Sequence, residues 1–223
     1  AQSEGATGKR FSQFWLHNAF IQLTDEKMSK SLGNIYTISD LVERGIHPLS
    51  FRYFNFQAHY RTPMTFSWDA LLAAQTALTR LWELAADLLQ SGTAQDIEGE
   101  AQNFQERFHL AINHDLDLPV VLAILHDALG SRLPAAQKLG LLREFDSVLG
   151  LDLLPMGGRY SQVGDAEHRL LAERARARSA RDFTRSDELR DTLAASGLLV
   201  KDTAQGQRWV RSDVLPSPHG SEA

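Results

Sequence analysis

Apolar residues in this chain recur mostly at three- and four-residue steps, the spacing that lays one face of a helix against a core. The longest run follows Ser67, a good N-cap residue, and predicts a helix over about 68–90. Leu71, Leu78, Leu81, Ala85 and Leu88 share its inner face, widened by Leu72, Trp82 and Leu89, and Gly92 ends it. Three similar stripes follow. One covers about 96–113 with Phe104, Phe108 and Ala111. The next runs from Asp117 and Pro119 to about 132 with Val121, Leu122, Leu125 and Leu129. The last runs from Pro134 to Gly150 with Leu139, Leu142, Phe145 and Leu149. Short connections between such helices make an antiparallel bundle, here over 67–154.

The flanks read differently. Residues 1–35 hold short mixed runs, Phe11, Phe14 and Trp15 and then Phe20 to Leu23, which predict strand and loop. They look like the ragged end of a domain whose remainder lies elsewhere, so an apolar face is expected to stand bare there. Thr37 and Asp40 have capping-box spacing and open a helix to about Arg44, stopped at Gly45. Pro48 suits the first turn of another helix, with Phe51, Phe54 and Ala58 turned inward. These pieces make a first region, 1–66. Beyond the bundle, Pro155-Met156-Gly157-Gly158 reads as a break, with a linker over 155–164. Two shorter helices, about 165–180 and 183–196, lead to a hairpin of 198–200 and 208–210, giving a small region over 165–211. The tail, 212–223, is Pro/Ser/Gly-rich and predicts disorder. The fold class is therefore mainly α, closed by an αα plus β-hairpin unit.

Composition narrows the class. With 223 residues, 43% hydrophobic and 23% charged, the chain reads as globular and large enough for a sizeable core. No run approaches the ~18 apolar residues of a membrane span, and no signal-peptide pattern opens the sequence. The chain has no Cys, which excludes disulfides and thiolate metal sites. A net charge of −5 argues against a nucleic-acid binder until it is resolved along the chain. Residues 1–91 balance, 92–152 carry a net −6, and Arg174, Arg176, Arg178, Arg181 and Arg185 face only Asp182 in their own stretch. A basic stripe therefore lies near the end, suited to phosphates.

The densest chemistry is Glu26-Lys27-Met28-Ser29-Lys30-Ser31-Leu32-Gly33-Asn34. Two lysines three apart, two serines and a bend-permitting glycine supply charge-assisted donors for a polyphosphate. A solvated Lys/Ser turn is the plain alternative. The run is not the nucleotide P-loop, because it lacks that motif's first glycine and residue order.

Lys27–Ser31 reads KMSKS and resembles the second signature of class I aminoacyl-tRNA synthetases. Extended to Asp25-Glu26-KMSKS-Leu-Gly-Asn, it is similar to the cysteinyl-tRNA synthetase family. Ala1-Gln2-Ser3-Glu4, Trp15-Leu16-His17-Asn18, Arg52-Tyr53-Phe54 and Ala58-His59-Tyr60-Arg61 continue the likeness, as do Arg178, Asp187 and Asp202 through Trp209. The resemblance spans about 1–211. It implies that 1–66 is the end of a class I catalytic domain and 165–211 an anticodon-binding domain. The family's first signature, His-x-Gly-His, is missing, and so are the Cys ligands of its zinc. The expectation is therefore a C-terminal half.

The resemblance also implies roles. Lys27 and Lys30 are the catalytic candidates. With Met28, Ser29 and Ser31 they would meet ATP as the amino acid carboxylate attacks its α-phosphate, an ancestral role expected to be idle without the other half-site. Arg178, Asp187 and Asp202 would meet unpaired anticodon bases, and Trp209 offers a stacking face. The alternatives are a surface pair for Asp187 with Arg190 and a hairpin core for Trp209. Phe183 stands where the family often has Trp. In the family the region of His59, Tyr60 and Arg61 supports the tRNA, and the alternative is a capped helix junction. His109 and His114, with Asp115 and Asp117, read as a loop cluster, not a metal site.

The expected function is the tRNA-binding half of a cysteine–tRNA ligase. Its cofactor would be ATP, and zinc would be held by the absent half. Its partners would be tRNA for cysteine and that N-terminal catalytic half, in a cytoplasmic monomer. The rivals are a truncated paralogue binding RNA or protein, a related cysteine ligase that uses no tRNA, and a plain helical scaffold.

Overall fold

Helix α4, Trp68–Leu89, is the axis of the structure. This computed structural model describes residues 2–23, 36–203 and 206–215. Ser67 Oγ accepts from the Ala70 amide at 3.1 Å, so the predicted cap forms. Leu71, Ala74, Leu78, Leu81, Trp82, Ala85, Ala86 and Leu88 are all buried along the predicted stripe. Leu72, expected to widen that stripe, is instead exposed.

Before α4 come helix α1 (Gln2–Thr7), strand β1 (Ile21–Leu23), helices α2 (Ile38–Glu43) and α3 (Pro48–Asn55), and strand β2 (Met64–Phe66). The opening residues are thus helical, where strand and loop were expected. A Thr7 hydroxyl bonded to the Ser3 carbonyl at 2.7 Å closes this exposed turn, which no apolar periodicity marks. Strands β1 and β2 pair in parallel, Ile21 opposite Met64 and Leu23 opposite Phe66. The expected bare apolar face is present: Phe14 is 86% and Phe20 84% exposed, with Phe11, Trp15 and Leu16 also open. The capping box of α2 forms between Thr37 and Asp40.

Helices α5 (Glu100–Asn113), α6 (Leu118–Gly130) and α7 (Ala135–Leu149) complete the predicted bundle. Helix α5 starts later than its sequence pattern indicated. Residues 94–98 instead lie along α7, where the Gln95 amide donates to the Ala136 carbonyl at 3.0 Å. Gly140 makes this possible, since a Cβ there would fall 2.4 Å from the Gln95 carbonyl oxygen. Phe108 of α5 and Phe145 of α7 stack with centroids 4.0 Å apart.

The expected linker is largely a helix, α8 (Leu153–Ser161), packed lengthwise on α4. Pro155 sits in its first turn, where a missing N–H costs nothing. Gly157 lies where α4 comes too close for a side chain. Leu153, Met156 and Tyr160 are buried at helical spacing, so two apparent breakers conceal an inward face. Asp146 holds the preceding turn, accepting from the Leu151 and Leu153 amides at 2.7 Å each. Only 162–164 connect α8 to the last unit.

That unit comprises α9 (Asp165–Ser179), α10 (Phe183–Ala195) and the antiparallel strands β3 (Leu198–Thr203) and β4 (Gly206–Arg211). Leu198 pairs with Arg211 and Asp202 with Gln207. The hairpin divides its residues between two cores. Val210 belongs to the bundle core, whereas Leu198 joins Leu171 and Leu193 in a small second cluster with Val200 and Trp209 against it. Of the tail, Val214 and Leu215 pack on the bundle core, contrary to expectation. The remaining tail residues, 216–223, lie outside the described residues.

One consequence concerns pH. His47 caps α3, its Nδ1 accepting from the Leu49 amide at 3.2 Å, with its ring edge-on to Trp82. Burial pushes its pKa below the ordinary 6.5, Asp152 opposing and Arg159 assisting. The unfolded chain then takes the proton first. Stability from this residue is full above pH 6.5 and falls as pH drops from there toward the folded value. In His47→Asn, which keeps a capping acceptor, the loss of melting temperature between about pH 6.5 and 5 should shrink. An unchanged slope would assign the acid sensitivity to another group.

Candidate nucleic-acid interface

Helix α9 places Leu171 and Arg174 three residues apart on one inward face, so a guanidinium occupies a core position. Arg174 is fully buried. Its Nη1 and Nη2 donate to Asp202 Oδ1 and Oδ2 at 3.0 and 2.8 Å, a two-point fork. Nη1 also reaches Gln207 Oε1 at 3.0 Å, and the Gln207 amide is fixed by the Leu171 carbonyl at 2.8 Å. Cross-strand pairing of Asp202 with Gln207 brings both to the same guanidinium.

One turn on, Arg178 reaches Asp202 Oδ2 from the solvent side at 3.1 Å. Asp202 keeps 33% of its side chain exposed. The Arg174 bonds hold its pKa down against partial burial, with the charges of Arg174, Arg178 and Arg190 assisting. The group is therefore a fixed carboxylate ringed by cations. Asp187 stands apart, in an exposed pair with Arg190 at 3.3 Å. Phe183 is exposed at the start of α10.

Trp209 is half-buried and bound on several sides. Its indole N–H donates to the Ser161 carbonyl at 2.9 Å, and its backbone exchanges two bonds with the Gln90 side chain, 2.8 and 3.2 Å. It ties the hairpin to the ends of α4 and α8. His59, Tyr60 and Arg61 converge on Asp115 in the turn between α5 and α6. Tyr60 donates to Asp115 Oδ1 at 2.7 Å, Arg61 lies 2.9 Å from Oδ2, and His59 Nε2 is 2.9 Å from the Asp115 carbonyl. That turn bends through positive φ at Asp115 and Leu116, and the cluster braces it. His109 pairs with Glu144 at 2.7 Å, away from His114.

The residues of the KMSKS run, Lys27, Met28, Ser29, Lys30 and Ser31, lie outside the described residues. Among the described residues no three His, Asp or Glu side chains form a group that could hold a metal. The structure brings Arg178 and Asp202 together, leaves Asp187 with Arg190, and uses Trp209 as a joint. Arg174, Gln207 and Gln90 carry site geometry that the basic stripe alone did not single out. The available signal was Arg174 falling three residues after Leu171 on a helix face.

Two family models match. The tRNA synthetases class I (C) catalytic domain covers 1–76, and the cysteinyl-tRNA ligase anticodon binding domain covers 161–209. Curated relatives include cysteine–tRNA ligase 1 of Burkholderia lata, 39% identical over 93% of this chain and 43% of the relative. The cysteine–tRNA ligase of Thioalkalivibrio sulfidiphilus is 37% identical over 95% of this chain and 48% of its own length. That of Legionella pneumophila (strain Corby) is 36% identical over 95% and 47%. The chain thus spans about half the length of the curated relatives it matches. Two domain models in order and relatives matched across nearly the whole chain place it in the class I cysteinyl-tRNA synthetase family.

Proposed function

We propose that this chain is the tRNA-reading, C-terminal portion of a cysteine–tRNA ligase, the enzyme that attaches cysteine to its tRNA at the expense of ATP. The observation that carries the reading is the coincidence of the anticodon-domain match over 161–209 with a fixed Asp202 carboxylate and an exposed Arg178 on that unit's surface. Unpaired bases present N–H donors and ring acceptors to such groups, and Asp187 with Arg190 extends the polar edge. Trp209 acts mainly by seating the hairpin, and its exposed part is left for stacking.

In the complete enzyme the lysines and serines of 27–31 would hold ATP phosphates, as their donor chemistry fits. ATP supplies the activated phosphate when bound; these residues orient it and balance its charge. The chain has no Cys, and its described side chains offer no metal cage, so no step is assigned to zinc here. The partners are tRNA for cysteine and the catalytic half, which would cover the bare Phe14 and Phe20 face. The setting is a cytoplasmic monomer, and no helix among the described residues is long and apolar enough to cross a membrane.

Binding to tRNA for cysteine should weaken at least about tenfold when the anticodon is changed, and should fall as salt rises. The chain alone should form no cysteinyl-tRNA from ATP and cysteine. Equal binding to both anticodons would leave only a basic stripe, and charging by this polypeptide would overturn the fragment reading.

A further inference from the structure

A carboxylate has about four acceptor sites. Two of those on Asp202 are taken by hydrogen bonds from Arg174, and Arg178 adds an ion pair at 3.1 Å to Oδ2. Among the described residues Oδ2 faces both Arg174 and Arg178, while Oδ1 meets only Arg174 Nη1 and is open to a further donor. The two arginines differ in kind. Arg174 is enclosed, locked by Gln207 and unable to leave without opening the unit, whereas Arg178 is 41% exposed.

Burying a guanidinium is an expensive way to join a hairpin to a helix, since a well-packed apolar pair often serves as well or better. Here the arrangement even leaves Arg174 Nε buried without a hydrogen-bond partner among the described residues. What the fork supplies and apolar residues cannot is a carboxylate fixed in plane and charge at a surface.

We infer that Arg174, set by Gln207, is a positioning residue that presents Asp202 Oδ1 as a single-donor acceptor, with Arg178 as its exchangeable neighbour, to one unpaired base N–H. The inference rests on the anticodon-reading function proposed above and adds to it a residue that touches no base. Arg178 turns from Oδ2 to the base acceptor or to a phosphate as the base docks, and Arg174 does not move.

The test uses the full chain, transcribed tRNA for cysteine and copies changed at each anticodon position. Arg174→Lys keeps the charge but loses the fork. It should lose about tenfold or more of the discrimination at one anticodon position while keeping the salt slope of binding. Gln207→Leu, which leaves the Asp202 fork in place but unbraced, should lose discrimination at that same position by a smaller factor. It also decides the matter if Arg174→Lys fails to fold. A merely structural role would lower melting temperature and overall affinity together without singling out one position. If the unaltered chain discriminates and both folded variants keep that discrimination, the positioning role is overturned and the anticodon reader stands. If the unaltered chain shows no discrimination, both readings fall.

Discussion

Trp82→Ala should lower the stability of the protein by about 3–5 kcal/mol, a large share of the 5–15 kcal/mol typical of a native protein. Trp82 is completely enclosed, edge-on to His47 and tilted against Tyr160 at 6.2 Å. Its indole N–H donates to the Leu151 carbonyl at 2.9 Å, inside the turn that launches α8. Truncation therefore removes a large apolar volume from α4 and orphans a buried carbonyl on the segment it holds. The two contributions can be separated. Trp82→Phe keeps much of the volume and loses the hydrogen bond, at a cost of about 1–3 kcal/mol. Urea unfolding followed by far-UV circular dichroism gives both values. A Trp82→Ala loss below about 1 kcal/mol would mean that α8 is not seated on this ring.

Gly157→Val should be strongly destabilising. A Cβ at 157 would stand 2.8 Å from the Ala85 Cβ and 3.1 Å from the backbone between Ala85 and Ala86. Neither alanine has room to retreat, since both are fully enclosed. Overpacking of this kind costs about 1–3 kcal/mol, and more where backbone is the obstacle. Gly158 is an internal control: a Cβ there meets nothing within 4 Å. Gly158→Ala should be neutral or stabilise by up to about 1 kcal/mol through helix propensity. Ala85→Gly should recover part of the Gly157→Val loss, a coupling that a double-mutant cycle reads directly. Equal losses at 157 and 158 would sink the close-crossing account.

These two sites also show where the sequence was readable. The stripe of α4 and its Ser67 cap, the Thr37 box of α2 and the Asp117 cap of α6 rest on local rules, and each element formed. Helix α8 did not obey a local rule. Pro155 and Gly157 mark breaks when read alone, and only the nearness of α4 turns the glycine into a contact residue. The late start of α5 has the same origin, because Gly140 on α7 decides where 94–98 can lie. Hydrophobic periodicity tells which face is buried, not how closely another backbone will approach.

The candidate site divides along the same line. The KMSKS run is legible as letters, because its donors are consecutive. Arg178 and Asp202 were legible as surface chemistry by family likeness. Arg174 was visible only as one more positive charge, since its pairing with residues 28 and 33 positions away depends on hairpin register. Trp209 read equally well as a stacking platform or a core residue, and its bonds to Ser161 and Gln90 arise from elements far apart in sequence.

The hairpin shared between two cores limits how the last unit can be moved into another protein. Cutting at 164 and grafting 165–211 onto a new scaffold would carry Val210 away from the bundle and strip Trp209 of Gln90 and Ser161. A functional transplant has to bring the last turn of α4 and the end of α8 as well, or replace them with an amide and an apolar shelf in the same places. Recombination between relatives should therefore tolerate a crossover within the bundle loops better than one at the apparent joint before α9.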